Sequence, residues 1–415
     1  MPTKPNIVLI VADDMGYGDC ASYGGRAFAT PRLDALAAQG LRFTDFHSNG
    51  AVCSPTRAAL LTGRYQQRSG IEKVISAANH RHVGLPLDEK TFADLLQKAG
   101  YATAAFGKWH LGYEPRFNPT RRGFDRFRGF VSGNIDYHSH IDQVGHEDWW
   151  ADAGLQPEDG YTTDLVTAHG LRFIEEQREQ PFCLYLAHEC PHYPYQGPDD
   201  AAYRKPGEPG PAHGPRPDKA EAYKEMMQSM DAGIGRVADT LDRLGLSDNT
   251  LVFFFSDNGP VSPGSAGPLR GGKGSLFEGG HRVPAIARWP DTVAAGTQTD
   301  TPCMGMDLMP TFLAAAGIDA PADLHLDGAD LMPLLRGDSI PERALFWRYD
   351  GQKAVRAGDW KLLHENAEAT ARLFNLRDDL GEEHDRAAER PDIAQDLAAQ
   401  LAEWEEDVSG RPRLS

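Results

Sequence analysis

The chain has 415 residues, which is enough for one large α/β domain with a smaller unit attached. Hydrophobic residues make up 40% of it, so the chain can bury a core and is not globally disordered. The 42 basic and 60 acidic residues give a formal net charge of −18. This balance argues against nucleic acid or an anionic membrane as a partner. It does not exclude an anionic small substrate, because a few local cations decide the field inside a pocket.

The N-terminal residues and the cysteines give weaker indications of where the protein is located and whether it has disulfides. Residues 1–5 lead directly into an apolar run, without a basic segment or a cleavage site, and no apolar run reaches about 18 residues. The sequence as given therefore predicts a cytoplasmic protein, or a periplasmic or secreted one if a signal segment has been removed. The five cysteines are odd in number and scattered, which does not fit a disulfide framework or a zinc cluster. Nothing in the sequence indicates the oligomeric state.

Apolar runs and helix-period segments alternate along most of the chain, which predicts βαβ units. A stripe of apolar residues along the longest helix indicates core packing, and not contact with a cofactor. The predicted strands are 6–12, 101–106, 182–187 and 251–256, and the predicted helices are 30–40, 91–100, 162–179 and 219–246.

Each of the four predicted strands ends in titratable side chains. Open α/β sheets place their ligand sites at the carboxyl ends of parallel strands, so these side chains predict one shared pocket. In chain order they are Asp13 and Asp14, then Lys108 and His110, then His188 and His192, then Asp257 with Asn258.

The segment Cys53-Ser54-Pro55-Thr56-Arg57 precedes a helix-like run at 58–64. Pro55 is pre-set for the first turn of a helix, and Ser54 is predicted to cap it. Cys53 then lies beside unpaired backbone N–H groups at the positive end of the helix, a place that binds anions. Arg57 adds a fixed positive charge that can hold an oxyanion.

Two later regions complete the predicted organisation. Residues 194–217 contain seven prolines and four glycines, which predicts a loop at the rim of the pocket that contacts the substrate. After residue 338 the pattern changes to short runs at 344–349, 353–356, 361–364 and 372–376, followed by a helix with an apolar face. We therefore predict two domains, 1–338 and 339–415, the second with a small antiparallel sheet and a terminal helix.

Together these motifs resemble the type I sulfatases of the alkaline phosphatase superfamily, and bacterial arylsulfatases and carbohydrate sulfatases in particular. Cys-x-Pro-x-Arg is the signal for oxidation of the cysteine to formylglycine, and the segments at 107–112 and 358–362 also match. The resemblance is strongest at 6–65, 101–112, 182–198, 251–284 and 353–385. It implies a large mixed, mostly parallel sheet between helices, with a small C-terminal α+β unit.

The resemblance also implies a metal site. Asp13, Asp14, Asp257 and Asn258 fall where sulfatases hold a divalent cation, and the formylglycine made from Cys53 completes the site. Carboxylate and amide oxygens suit Ca²⁺, the first choice, or Mg²⁺, and do not suit zinc. The implied partners are a small sulfate-ester substrate and a formylglycine-generating enzyme during maturation.

Catalytic roles follow from the same resemblance. The resemblance implies that a hydroxyl of hydrated formylglycine attacks sulfur. The cation and Arg57 ease the ionisation of this hydroxyl, and Asp257 accepts its proton. Lys108, Lys273 and the cation stabilise the sulfate oxygens. His188 protonates the leaving group, and His110 removes a proton so that sulfate can depart. Asp136, His138 and His192 are predicted to bind the substrate, a sugar or an aryl group, with His140, Trp149 and Trp150 as further candidates.

Two alternatives stay open from the sequence. A phosphonate monoester or phosphodiester hydrolase of the same superfamily would use the same formylglycine and cation on phosphorus. A non-catalytic, metal-bound carbohydrate-binding protein would leave Cys53 unoxidised.

Overall fold

The computed structural model describes residues 4–411. Residues 1–3, where the sequence predicts no signal segment, lie outside the described residues. Residues 412–415 of the predicted C-terminal domain also lie outside them. The helices are α1 Pro31–Ala38, α2 Cys53–Thr62, α3 Phe92–Lys98, α4 Thr162–Glu176, α5 Lys219–Arg243, α6 Glu278–His281, α7 Leu308–Ala316, α8 Met332–Leu335 and α9 Pro391–Asp407. The strands are β1 Asn6–Ala12, β2 Leu41–His47, β3 Ala102–Lys108, β4 Arg126–Phe130, β5 Trp150–Ala151, β6 Gly154–Leu155, β7 Phe182–Ala187, β8 Thr250–Ser256, β9 Arg282–Arg288, β10 Thr297–Thr299, β11 Cys303–Met304, β12 Leu345–Tyr349, β13 Gln352–Ala357, β14 Trp360–His364 and β15 Arg372–Asn375.

Strands β1 to β11 form one sheet in the order β10-β2-β9-β8-β1-β7-β3-β4-β5-β6, with β11 beside β2. The five strands from β8 to β4 run parallel, whereas β9 is antiparallel to both β8 and β2. The predicted mixed, mostly parallel sheet is therefore confirmed.

Helices cover both faces of this sheet. Alternate residues of β1 enter two separate cores, with Leu9 in one and Ile10 in the other, and both are fully buried. Leu60 of α2 belongs to the first core, and Met226 of α5 to the second. Burial on both faces explains why β1 reads as a continuous apolar run instead of an alternating one.

The ends of the four central strands lie level with one another. Ala12 pairs with Ser256 of β8, and Ala187 of β7 pairs with both Val11 and Gly107. The residues that follow these positions therefore emerge side by side at one edge of the sheet. This register places the predicted clusters in one region.

Strands β12 to β15 form a separate antiparallel sheet in sequence order, and α9 follows it. Leu397, Leu401 and Trp404 of α9 are buried against this sheet, in a core that also includes Ala59 of α2. The predicted antiparallel sheet and terminal helix are confirmed. The domain boundary at 338/339 stays a prediction.

The cysteines within the described residues form no disulfide bond. Cys20, Cys53, Cys183, Cys190 and Cys303 are all free and buried. None of the helices within residues 4–411 has the length and apolar character needed to cross a bilayer.

Candidate active site

Cys53 is the first residue of α2, and the whole helix is buried. The predicted cap at Ser54 is wrong, because Val52 in extended conformation occupies the N-cap position without a side-chain hydrogen bond. Ser54 lies inside the first turn, and its Oγ accepts a hydrogen bond from the backbone N–H of Ile75 at 3.1 Å. The helix start therefore presents residue 53 at the positive end of the helix.

The thiol of Cys53 lies between a carboxylate and an ammonium group. Its Sγ is 3.3 Å from Oδ1 of Asp13 and 3.4 Å from Nζ of Lys273. Burial, together with the carboxylates of Asp13 and Asp257, raises the pKa of the Cys53 thiol above its ordinary value. An unmodified Cys53 is protonated at neutral pH, and is a weak nucleophile.

Arg57 links the ends of three strands. Its Nε and Nη2 donate to Oδ2 of Asp257 at 3.0 and 2.8 Å. Its Nη1 donates to the backbone oxygen of Lys108 at 2.9 Å and to the hydroxyl of Tyr185 at 3.3 Å. The guanidinium is fully buried, so its position is set by these contacts.

Two lysines complete a set of three cations. Nζ of the buried Lys108 pairs with Oδ2 of Asp13, and Nζ of Lys273 lies 2.6 Å from Oδ1 of Asp14. Although burial raises the pKa of Asp13, the nearby cations, Lys108 first, hold it below its ordinary value. Burial and the charge of Asp13 raise the pKa of Asp257 to about 6.

The donor set around these carboxylates fits a divalent cation. Oδ2 of Asp14 and Oδ1 of Asn258 are buried oxygens without a hydrogen-bond partner among the described residues. Buried oxygens of this kind are rare unless an ion or a water molecule satisfies them. Ligand atoms of Asp13, Asp14, Cys53 and His192 lie within 4.8 Å of one another. Carboxylate and amide oxygens are the ligands that hard cations prefer.

His192, predicted to bind substrate, lies at this cluster, with its Nε2 3.6 Å from Oδ2 of Asp14. Burial and the charge of Lys273 lower the pKa of His192 to about 4, so the ring is neutral at pH 7.

His110 is held in one tautomer. Its Nε2 lies 3.2 Å from the carbonyl oxygen of Ile75, which can only accept a hydrogen bond, so Nε2 carries the hydrogen. Nδ1 is then a buried lone pair, and it has no partner among the described residues. Burial and the charges of Lys108 and Arg57 lower the pKa of His110 well below its ordinary value. The imidazole is therefore neutral, and Nδ1 carries its free lone pair.

His188 is likewise a buried histidine with a lowered pKa. Its Nδ1 is buried without a partner in residues 4–411, and burial lowers its pKa to about 4. It follows β7 directly, and its backbone N–H donates to the oxygen of Val11 at 2.9 Å.

The backbone around these groups is tightly packed and unusual. Asp14 and His110 have positive φ angles of 64° and 57°, a conformation that costs free energy and occurs at functional sites. Gly133 faces the His110 ring, and a Cβ at Gly133 would lie 2.8 Å from its Cε1. Only glycine allows the ring this position.

Asp136 and His138 do not join this cluster. The carboxylate of Asp136 is buried, and both of its oxygens accept hydrogen bonds from backbone N–H groups. These donors are His138, Ser139, Tyr203 and Arg204, at 2.8 to 2.9 Å. Asp136 therefore anchors the proline-rich segment, and we correct its assignment to the substrate on this ground.

His138 also contacts that segment, since its Nε2 lies 3.1 Å from the carbonyl oxygen of Gly197. His140 and Trp149 stack on each other with ring centroids 4.5 Å apart. The indole N–H of Trp150 donates to Asp148 at 2.7 Å. These contacts hold the loops together, and a substrate-binding role for His138 stays a prediction.

Sequence reasoning missed Tyr185 and the carbonyl of Ile75. Tyr185 stands in an otherwise apolar strand, and a lone hydroxyl there was the available signal. Ile75 contributes only a backbone oxygen, which no sequence pattern reveals.

A pocket of this kind is suited to the transfer of a group with negatively charged oxygens. Buried cations already in place stabilise such a group without reorganisation. Fold and site together are those of a class of enzyme suited to the chemistry of oxyanion esters.

Comparison with known proteins gives the family. The model described as Sulfatase matches residues 5–318, and that described as N-sulphoglucosamine sulphohydrolase, C-terminal, matches residues 272–407. The chain is 37% identical over 387 residues to N-acetylgalactosamine-6-sulfatase of Rattus norvegicus, covering 87% of this chain and 71% of that protein. It is 38% identical over 394 residues to arylsulfatase A of Homo sapiens, covering 86% and 74%. The solved structure of Ps i-CgsB in complex with k-i-k-neocarrahexaose aligns with a TM-score of 0.87 and 31% identity, over 100% of this chain and 96% of that chain.

The chain belongs to the sulfatase family. It is an enzyme that hydrolyses sulfate esters, and the phosphonate hydrolase and the non-catalytic binding protein are not favoured. Membership of the family implies a divalent cation and a formylglycine, and the cluster around Asp13 and Cys53 is compatible with both.

Proposed function

We propose that this sulfatase removes sulfate from sulfated carbohydrates, with formylglycine at position 53 and one Ca²⁺ ion. The observation that carries the carbohydrate substrate is the likeness to Ps i-CgsB, which aligns over the whole chain and was solved with k-i-k-neocarrahexaose. The name of the rat relative, N-acetylgalactosamine-6-sulfatase, points to the same class of substrate.

The cation would be held by the carboxylates of Asp13, Asp14 and Asp257 and by the amide oxygen of Asn258. The unpartnered oxygens of Asp14 and Asn258 support this set. We propose Ca²⁺ over Mg²⁺ because Ca²⁺ accepts many protein oxygens in flexible geometry, whereas Mg²⁺ usually keeps several waters. When bound, the ion would supply positive charge next to residue 53 and the sulfate.

Formylglycine would supply a nucleophilic hydroxyl once its aldehyde is hydrated. We assign the proton of that hydroxyl to Asp257, whose pKa is raised to about 6 by burial and by the charge of Asp13. Nζ of Lys273 lies 3.4 Å from Sγ of Cys53, and Nζ of the buried Lys108 pairs with Oδ2 of Asp13. In our proposal these two ammonium groups bind the sulfate oxygens and stabilise their charge in the transition state. The buried charge of Arg57 favours ionisation of the attacking hydroxyl.

The two neutral histidines are proposed to divide the proton transfers. His110 offers Nδ1 as a base, because Ile75 holds the hydrogen on Nε2. We assign it the proton whose removal allows sulfate to leave residue 53. We assign His188 to the oxygen of the departing alcohol, which needs a proton as it leaves. Because burial lowers the pKa of His188 to about 4 in the free protein, the ring has to take up this proton when the negatively charged sulfate ester binds next to it.

The substrate proposal is tested with a panel of sulfated mono- and oligosaccharides, assayed beside an aryl sulfate and an aryl phosphodiester. We expect at least one saccharide to be desulfated with a kcat/KM at least ~10-fold above that of the phosphodiester, since phosphorus is not the preferred centre. Hydrolysis of the aryl sulfate without any saccharide turnover would contradict the carbohydrate proposal. Preference for the phosphodiester would contradict the sulfate chemistry itself.

The histidine roles predict two different defects. His188→Ala should slow a sugar sulfate about 10²–10⁴-fold, the usual worth of general acid catalysis, and should slow an activated aryl sulfate much less. His110→Ala should release one equivalent of phenol from an aryl sulfate quickly and then stall, because release of sulfate is blocked. Burst kinetics with separate assays of phenol and sulfate measure both effects.

His384→Ala is the matched control for the histidine variants, because its side chain is 66% exposed and its ring faces Asp379, with Nδ1 3.6 Å from Oδ2. It should retain the native rates. If His188→Ala loses the same factor on both substrates and His110→Ala shows no burst, the two rings have no separate proton-transfer roles.

A further inference from the structure

The segment between β8 and α6 carries Lys273 without regular secondary structure to support it. Gly271 and Gly274, on either side of Lys273, have φ angles of 82° and 84°, so the chain turns sharply here. Even so, the ammonium of Lys273 reaches 3.4 Å from Sγ of Cys53 and 2.6 Å from Oδ1 of Asp14. The backbone N–H of Lys273 donates to the oxygen of Pro260 at 3.0 Å, and that of Gly274 donates to the oxygen of Ala51 at 2.8 Å.

A side chain from the second sheet makes two further hydrogen bonds to this segment. Gln352, the first residue of β13, donates from Nε2 to the carbonyl oxygen of Gly274 at 2.8 Å. Its Oε1 accepts a hydrogen bond from the backbone N–H of Leu276 at 2.9 Å. One amide therefore satisfies a donor and an acceptor of the Lys273 segment, beginning at the residue next to Lys273. The amide makes the same kind of hydrogen bonds to this segment as the backbone of a neighbouring strand makes in a β-sheet.

The strand that carries Gln352 is itself firmly attached. Arg356, at the other end of β13, forms two hydrogen bonds of 2.6 Å to the buried Asp45 of the large sheet. Lys361 of β14 lies 2.9 Å from both Glu278, at the end of the Lys273 segment, and Glu382. Removing one partner of such buried pairs is costly, so the second sheet is a rigid support.

We propose that Gln352 is a positioning residue that holds the ammonium of Lys273 in place for the sulfate oxygens. The inference rests on the proposed role of Lys273, and it gives the C-terminal sheet a part in sulfate binding. A misplacement of about 1 Å can cost on the order of 10²-fold in rate, so two lost hydrogen bonds next to Lys273 are sufficient to weaken catalysis.

The test is a double-mutant cycle on the matured, metal-loaded enzyme. Gln352→Met keeps the length of the side chain and removes both hydrogen bonds, and it is combined with Lys273→Met. Calorimetry measures the Kd of inorganic sulfate, which requires no turnover. We expect Gln352→Met to weaken sulfate binding about 10-fold in the native background and less than about 2-fold beside Lys273→Met, because coupled residues are not additive.

Two further variants separate positioning from general stability. Gln352→Glu keeps the acceptor for the Leu276 N–H and loses the donor to Gly274, so its Kd should fall between native and Gln352→Met. Lys353→Met, next on the same strand, loses only a half-exposed pair with Glu405 and should bind sulfate as the native protein does.

Equal weakening of sulfate binding by Gln352→Met in both backgrounds would overturn the proposal, as would no weakening in the native one. Lys273→Met with native sulfate affinity would contradict the role of Lys273 instead, and thus the proposed function. The single variants therefore distinguish the two failures.

Discussion

Replacing Cys53 with alanine should abolish sulfate ester hydrolysis, with a loss of at least ~10⁴-fold, since removal of a covalent nucleophile has effects of this size. Alanine cannot be converted to formylglycine and offers no hydroxyl. The change should leave the fold intact, because a methyl group fits the space of the buried thiol at the start of α2. The measurement is kcat/KM on an aryl sulfate, with circular dichroism to confirm folding.

Cys303→Ala is the matched control for this variant. It also replaces a buried free cysteine with alanine, but on β11, where the thiol donates to the carbonyl oxygen of Thr301 at 3.3 Å. It should retain native activity. Turnover by Cys53→Ala at a rate near that of this control would show that residue 53 is not the nucleophile.

Removing the divalent cation should have an effect of comparable size. Asp13→Ala, Asp14→Ala and Asp257→Ala each take away an anionic oxygen, and each should abolish turnover of an aryl sulfate while the fold survives. A chelator should do the same to the native enzyme, and Ca²⁺ should restore activity better than Mg²⁺. Metal analysis of each variant should accompany the assay.

Asp291→Ala removes an exposed carboxylate and should leave both metal content and rate unchanged. Native rates in metal-free protein would contradict the assignment of these carboxylates. Restoration of activity by Mg²⁺ alone would leave the carboxylates in place and overturn the choice of Ca²⁺.

The sheet and the gathering of the site were predictable from the sequence, for a physical reason. Strands such as β1 and β8 are buried on both faces, so their sequences are continuous apolar runs with visible ends. Because parallel strands end at one edge, Asp13 and Asp257 had to emerge close together. The end of β3 was less visible. Gly107 and Lys108 belong to the strand, since their pairing with β4 continues beyond the apolar run.

Local rules failed where contacts distant in sequence decided the outcome. Ser54 has the chemistry of a helix cap, yet its oxygen serves the backbone of Ile75, 21 residues away. The carboxylate of Asp136 suits a sugar, yet four backbone N–H groups occupy it. Gln352 carries no motif, and its contact with the Lys273 segment spans 78 residues. Hydrogen bonds to distant backbone groups produce no periodic pattern in the sequence, so the sequence alone does not predict them.

The central claim is that residue 53 of the active enzyme is formylglycine. Mass spectrometry of the tryptic peptide 43–57, from enzyme made together with a formylglycine-generating enzyme, tests it directly. We expect this peptide to be roughly 18 Da lighter than its cysteine form, because an aldehyde oxygen replaces the thiol and one hydrogen. The modified fraction should rise in proportion to the specific activity. A fully active preparation in which this peptide carries only the unmodified thiol would contradict the account.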